Sequence, residues 1–250
     1  MRDPQLYETI SSTYSTTRTE DPRVAAQIHA ALGGGRQVLN IGAGTGNYEP
    51  SDRPLTAVEP SAEMIAKRAA RPGDVVRAAA ESLPFTDGTF DVAMATLTLH
   101  HWTDRQRGLL EMRRVSARQV IFMFDPVEVY RFWAVDYWPE AVELPSERDL
   151  PAPADLAAVL GPVEVETVAV PIDCSDGFGA AFWGRPEAYL DPAVQQGMSW
   201  LAQLPAEQLA AGTDRLEADL RSGAWDERHG HLRGLDELDV GYRLVIAGTP

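Results

Sequence analysis

Apolar residues in this chain fall into short runs separated by longer stretches of helical spacing, the alternation expected of βαβ units and a parallel sheet. Residues 37–41 (QVLNI) predict a first strand, 55–58 (LTAV) a second stopped by Pro60, and 75–78 (VVRA) a third. Residues 90–95 (FDVAMA), behind the turn at Asp87-Gly88, predict a fourth, and 119–124 (QVIFMF) a fifth. Residues 163–170 alternate apolar and acidic positions, as a more exposed sixth strand would, and 242–246 (YRLVI) make the seventh. Before the first strand, a Thr/Ser-rich stretch (11–19) leads into a helix. Asp21 is placed to cap it, Pro22 suits its first turn, Val24, Ile28 and Leu32 give an apolar stripe, and Gly33-Gly34-Gly35 ends it. Ser61 caps a helix with Met64, Ile65 and Ala69 on its buried side, and Thr103 with Gln106 predicts a capping box for a helix through Ser116.

One spacing breaks the pattern. A minimal sheet of this kind closes on a hairpin, but here 69 residues separate Ile172 from Tyr242, among them Trp183, Tyr189, Trp200 and Trp225. Connections that long are uncommon unless functional. The stretch itself predicts helices over roughly 192–204 and 206–221. The expected division is therefore a sheet domain of residues 1–172 and 241–250, with a helical insertion of residues 173–240. The insertion either caps the substrate side or serves as a structural extension or dimer interface, and the chain is expected to be a monomer or homodimer.

Composition narrows the partners. The hydrophobic share of 44% suits a globular core, and no apolar run is long enough to span a bilayer. The N-terminus lacks the apolar core of a secretory signal, so the expected location is cytoplasmic, with no membrane partner. A net charge of −15, from 22 basic against 37 acidic residues, disfavours a nucleic-acid partner, and no basic run is longer than Lys67-Arg68. Cys174 is the only cysteine, which excludes an intramolecular disulfide and a Cys-rich metal site; it reads as a buried apolar residue.

The chemistry begins at Gly42-Ala43-Gly44-Thr45-Gly46, directly after the first strand. Glycines let a backbone turn sharply and approach a ligand without a Cβ in the way. In the dinucleotide pattern G-x-G-x-x-G the third glycine would fall at Asn47; here it comes one residue early, at Gly46. That spacing disfavours a pyrophosphate and suits a nucleoside carrying an amino acid. Glu59, at the carboxyl end of the second strand, has the two acceptor oxygens needed to hold both hydroxyls of a ribose.

With these motifs the chain resembles the class I S-adenosylmethionine-dependent methyltransferases, particularly the small-molecule group that includes the ubiquinone/menaquinone-biosynthesis enzymes. The resemblance is carried by VLNIGAGTGNYE (38–49), AVEPSAEMI (57–65), AAAESLPFTDGTFDVA (78–93) and TLHHWTD (98–104), and it spans residues 14–125. It implies an α/β, Rossmann-like, seven-stranded, mostly parallel sheet of order 3214576 flanked by helices, S-adenosylmethionine as cofactor and S-adenosylhomocysteine as product. Gly42, Ala43, Gly44 and Gly46 would line the methionine part and ribose of the cofactor, and Glu59 would hold the ribose hydroxyls. Pro60, Met64, Ser82 and Leu83 would flank the adenine, and Thr96 would join the cofactor-side set. Two positions depart from the pattern. The family usually has an acid where Asn40 stands, and often an Asp where Ala79 or Ala80 stands; backbone groups near Glu81 and Ser82 are left to meet the adenine amine. Tyr14 and Arg18 lie where many relatives fold a flap over the cofactor, and Arg18 is suited to the methionine carboxylate.

His100 and His101 follow the fourth strand. Methyl transfer needs alignment, exclusion of water and a deprotonated acceptor, and imidazole is the natural base near neutrality. His101 is the better candidate, His100 the lesser, and both can instead be pocket wall. Tyr7, His101, Trp102, Asp125, Phe132, Trp133, Phe178 and Trp183 make the expected substrate-side set, an aromatic box suited to planar or cationic acceptors or, alternatively, core. His229 and His231 form an H-x-H without acidic or thiol companions, read as solvated loop, and no metal is expected. No Asn-Pro-Pro-Tyr-like motif follows the fourth strand, which argues against nucleobase or glutamine amines as acceptors. The reading is methyl transfer to O, N or C of a small molecule, with a bacterial specialised metabolite as the candidate acceptor. The rivals are a non-catalytic cofactor-binding module acting through protein interaction and, disfavoured by the glycine spacing and the missing Tyr-x-x-x-Lys, a nicotinamide oxidoreductase.

Overall fold

The computed structural model describes residues 18–68, 74–129 and 131–249. Tyr7, Tyr14 and Ala69 lie outside them. The chain divides into two compact units. Among the described residues, one unit holds the sheet, within 22–125, 150–168 and 242–249; the other gathers 18–21 with those of 126–149 and 169–241.

The sheet unit has seven strands: β1 (Val38–Ile41), β2 (Leu55–Val58), β3 (Asp74–Val76), β4 (Phe90–Thr96), β5 (Ser116–Phe124), β6 (Val163–Thr167) and β7 (Tyr242–Gly248). Their order is β3-β2-β1-β4-β5-β7-β6. The first five are parallel, with Val38 opposite Leu55 on one side and Val92 on the other. β7 runs antiparallel to both β5 and β6, with Phe122 opposite Leu244 and Val163 opposite Ala247. This is the expected order 3214576.

Parallel strands covered on both faces read as continuous apolar runs. β1 is buried at all four positions, whereas β6, at the sheet edge, is exposed along most of its length. Glu164 and Glu166 lie on that edge, where charge discourages pairing with another chain. Alternate residues Leu39, Ile41, Ala93, Ala95, Ile121, Met123 and Val245 share one core with Leu109, Met112 and Val115 of helix α3 (Arg105–Val115) and with Leu156 and Leu160 of α4 (Pro153–Leu160). On the sheet, α1 (Pro22–Ala31) packs against β5 and β7 through a buried stripe that includes Val24 and Ile28, and Gly33 (φ +63°) ends it. Between β2 and β3, α2 (Ala62–Lys67) is capped by Ser61 as expected. The cap of α3 differs from expectation. Asp104, not Thr103, accepts the N–H of Arg107, while the N–H groups of Thr103 and Asp104 both donate to Glu81.

In the second unit residues 126–149 cluster with 169–241, a different division from the one drawn at residue 172. The cause is aromatic packing. Trp133 stands edge-on to Trp225 (5.3 Å, 82°) and to Tyr189 (5.3 Å, 80°), and Trp138 stands edge-on to Trp200 (6.0 Å, 75°). The indole N–H of Trp138 donates to the carbonyl of Leu209 in α5 (Ala206–Ser222), beside Gly212. The helix expected over 192–204 is broken in two, Pro192–Gly197 and Ser199–Ala202, because buried Met198 is extended (φ −101°, ψ 115°). Among the described residues, no helix is long and apolar enough to cross a membrane.

Candidate functional site

At the carboxyl end of β1 the chain turns through the glycine loop. The N–H groups of Gly42 and Ala43 both donate to the carbonyl of Val58, tying the loop to the end of β2. Gly42 has φ +70°, and a Cβ there would sit 2.2 Å from Thr98 Oγ1; only glycine fits. Gly46 has φ +91° and would set a Cβ 2.8 Å from the Arg68 guanidinium and 2.9 Å from Glu49 Oε2. Thr98, Glu49 and Arg68 were not among the residues read from sequence as functional. Nothing local marks them, since each meets the loop through the fold.

Glu59 closes the other side. It is 6% exposed; Oε2 accepts from Gly44 N at 2.8 Å and Oε1 from Ser61 N at 2.9 Å. Burial pushes its carboxyl above the usual carboxylate range, against the opposing pull of these two N–H groups and of the Arg68 charge. Each oxygen keeps a lone pair for a further donor. Met64 is buried, with its methyl 3.4 Å from where a Cβ on Gly44 would be. Pro60 is exposed, and its carbonyl accepts from Arg77. Gly44, Glu59, Ser61 and Met64 are therefore in one place.

Beneath the loop lies a buried polar cluster. Asn40 Nδ2 donates to Glu49 Oε1 at 2.8 Å, and Arg68 Nη2 donates to both Glu49 oxygens at 2.8 Å. Arg68 Nη1 lies 3.4 Å from the carbonyls of Ala43 and Gly44. The Oδ1 of Asn40 and the Oγ1 of Thr96 are buried without a hydrogen-bond partner.

Other expected residues sit differently. The backbone N–H of Ser82 turns back to Ala79, that of Leu83 donates to Glu111, and the Glu81 carboxylate serves the start of α3. The amides of Ser82 and Leu83 are thus already engaged. Arg18, expected against a cofactor carboxylate, pairs instead with Asp176 at 2.7 Å, with both side chains buried. Trp102 is core: its ring lies where a Cβ on Gly108 would approach to 2.5 Å, which wedges it against α3. His100 and His101 lie in a short 3-10 turn (Leu99–His101), ring centroids 3.7 Å apart, with His101 exposed. Asp125 is half-buried after β5.

In the second unit, Trp133 and Trp183 are fully committed core. Their indole N–H groups donate to the carbonyls of Trp183 and Val170. Phe178 is buried, and half-buried Phe132 packs against Trp133 and Tyr189. His229 is helical rather than loop and rests on Trp225 (5.5 Å), where burial holds its imidazole below the usual range. Among the described residues no group of three or more His, Cys, Asp or Glu side chains is placed to hold a metal. Cys174 is buried, and burial pushes its thiol up to about 12.

A family model described as a methyltransferase domain matches residues 39–124. A malonyl-[acyl-carrier protein] O-methyltransferase of Erwinia billingiae is 29% identical over 130 residues, covering 47% of this chain. The chain spans 50% of that curated relative's length. Among solved structures, one from Anabaena variabilis titled "Putative methyltransferase from antibiotic biosynthesis pathway" is 31% identical with a TM-score of 0.85, covering 93% of this chain and 99% of that one. A SAM-dependent methyltransferase from Thermotoga maritima shares the fold at 20% identity and a TM-score of 0.54, over 66% of this chain and 84% of that one.

Proposed function

Since the chain belongs to the class I S-adenosylmethionine-dependent methyltransferases, we propose that it moves a methyl group to an O, N or C atom of a small molecule. The observation that carries this reading is the buried Glu59 carboxylate at the end of β2, hydrogen-bonded to the glycine loop and retaining acceptor capacity for a ribose diol. The site residues fit the cofactor: Gly42 and Gly46 let the loop close on Thr98, Arg68 and Glu49, Glu59 would hold the sugar, and Met64 would flank the base. When bound, S-adenosylmethionine supplies an electrophilic methyl on a sulfonium. The protein's share is to align the acceptor, exclude water and take its proton.

For the proton we assign His101, exposed at the end of β4 beside His100. The acceptor is proposed to be a specialised metabolite, in keeping with the pathway named for the Anabaena relative. The test is mass spectrometry of cell extract incubated with the protein and methyl-labelled cofactor. A labelled small molecule is expected, and His101→Ala should cut its rate of formation by about 10²-fold or more with little change in cofactor affinity. Cofactor binding with no labelled product would instead support a binding module.

A further inference from the structure

Gly248 ends β7 with φ +82°, and a Cβ there would stand 2.1 Å from the carbonyl oxygen of Ala117, so only glycine fits. It is opposite Arg118, where the pairing of β5 with β7 stops, so Ser116 and Ala117 at the start of β5 run past the end of β7. This uncovered start of β5 helps to line a cavity of about 410 Å³, with Arg113 near the end of α3, Leu160 at the end of α4 and Pro162 just beyond. The cavity lies at the sheet edge away from the glycine loop. Phe90, opposite Ser116, comes two residues before Val92, opposite Val38, and Gly42 follows Val38 by four. At about 3.3 Å per residue the two places are roughly 20 Å apart.

Two side chains give the cavity its chemistry. Gln119 is 2% exposed. Its Nε2 donates to the carbonyl of Ser116 at 2.8 Å and to the Ser116 hydroxyl at 3.2 Å, and that hydroxyl donates to the carbonyl of Met112 at 2.7 Å. A carbonyl only accepts, so the Gln119 amide has one orientation and its N–H groups are engaged. Oε1 is the acceptor that remains, and no described residue donates to it. Arg113 is exposed, with Nη1 steadied on the carbonyl of Val159 at 3.2 Å. No described carboxylate pairs with it, in a chain of 37 acidic residues.

We infer that this cavity binds a small carboxylic acid that carries a hydroxyl or ammonium donor: Arg113 takes the carboxylate and Gln119 Oε1 takes the donor. A guanidinium fork matches a carboxylate, and Leu160 and Pro162 offer the carbon skeleton an apolar wall.

The probes are succinate, malate and aspartate, four-carbon diacids that differ only in carrying hydrogen, hydroxyl or ammonium at one carbon. Each is titrated into the full ¹⁵N-labelled chain at constant ionic strength and followed by amide NMR. Malate or aspartate should shift the amides of residues 113–119 and the Gln119 side-chain amide, with succinate weaker by about fivefold for want of the donor's hydrogen bond. Whichever of the two binds tighter identifies the donor. Arg113→Gln should weaken the better ligand by about tenfold or more. Gln119→Met should bring that ligand level with succinate, and the three-ligand comparison on the unmodified chain decides the matter even if this variant folds poorly. No shifts at 113–119 with any diacid, succinate binding as tightly as the other two, or an unchanged affinity in Arg113→Gln would each overturn the assignment. Shifts confined to the glycine loop would overturn it as well.

Discussion

Glu59 shows how one carboxylate can carry opposite signs in stability and in binding. Its pKa is raised by burial, so its contribution to folding is fully present below the ordinary carboxylate range and is lost as pH rises through the raised value. Ribose binding needs the ionised form, so ligand affinity should move the other way and fall as pH drops through that value. Titration calorimetry with S-adenosylhomocysteine across that range checks the sign. Glu59→Gln should weaken the ligand by about 1–3 kcal/mol, because one oxygen facing the Gly44 or Ser61 N–H becomes a donor. An affinity unchanged by this substitution would remove Glu59 from the sugar site. Glu59 and the glycines were legible from sequence because a strand end and a loop sit within a few residues of them. Glu49 and Arg68 were not, because they pair across 19 residues and acquire meaning only where Glu49 meets Asn40 of β1. The pairing of Arg18 was hidden for a similar reason: its carboxylate partner is Asp176, 158 residues away.

The central strands β1 and β4 were readable because they are largely buried, so hydrophobicity alone outlines them, whereas exposed β6 shows itself by alternation. Short helices were harder. A helix through 192–204 looks continuous in pattern, but the backbone opens at Met198 to bury that side chain, a tertiary demand that overrides local preference. Competing donors and acceptors hid the start of α3 as well, since Glu81 takes the backbone amide of Thr103 and shifts the cap to Asp104. In α5 the same contest can be weighed. Gly212→Ala would gain about 1 kcal/mol of helix propensity. Its Cβ would, however, stand 2.2 Å from Trp138 Nε1 and 2.6 Å from the Tyr137 carbonyl, contacts that cannot relax cheaply. Overpacking of this kind costs roughly 1–3 kcal/mol or more, so the net effect should be a loss of stability, measured by chemical denaturation. A more stable variant would show that Trp138 can move aside.

Across the whole molecule, acidity sets the response to pH. The chain carries 37 acidic residues against 22 basic ones, so self-repulsion grows as pH rises. One half-buried group adds to this in a separable way. Burial lifts the Glu147 carboxyl to about 7, with only a hydroxyl bond from Ser146 lowering it. A raised folded pKa means stability present below the ordinary carboxylate range and lost as pH climbs toward 7, by on the order of 2–3 kcal/mol. Melting temperature should therefore fall by several degrees between pH 5 and pH 8, and Glu147→Gln should remove that part of the decline while leaving the general charge effect. Identical profiles for the two proteins would mean that water reaches the carboxylate.

The solitary Cys174 has a practical meaning of its own. Its thiol is sealed in the interior and resists ionisation, so maleimide and iodoacetamide reagents, which attack thiolates, should pass it by in the native state. A single cysteine introduced at an exposed apolar position, such as Leu110 on α3 or Leu235 in the second unit, would then be the one reactive handle on the molecule. The native chain is thus a ready background for attaching one fluorophore at a chosen place, with no cysteine needing to be removed first.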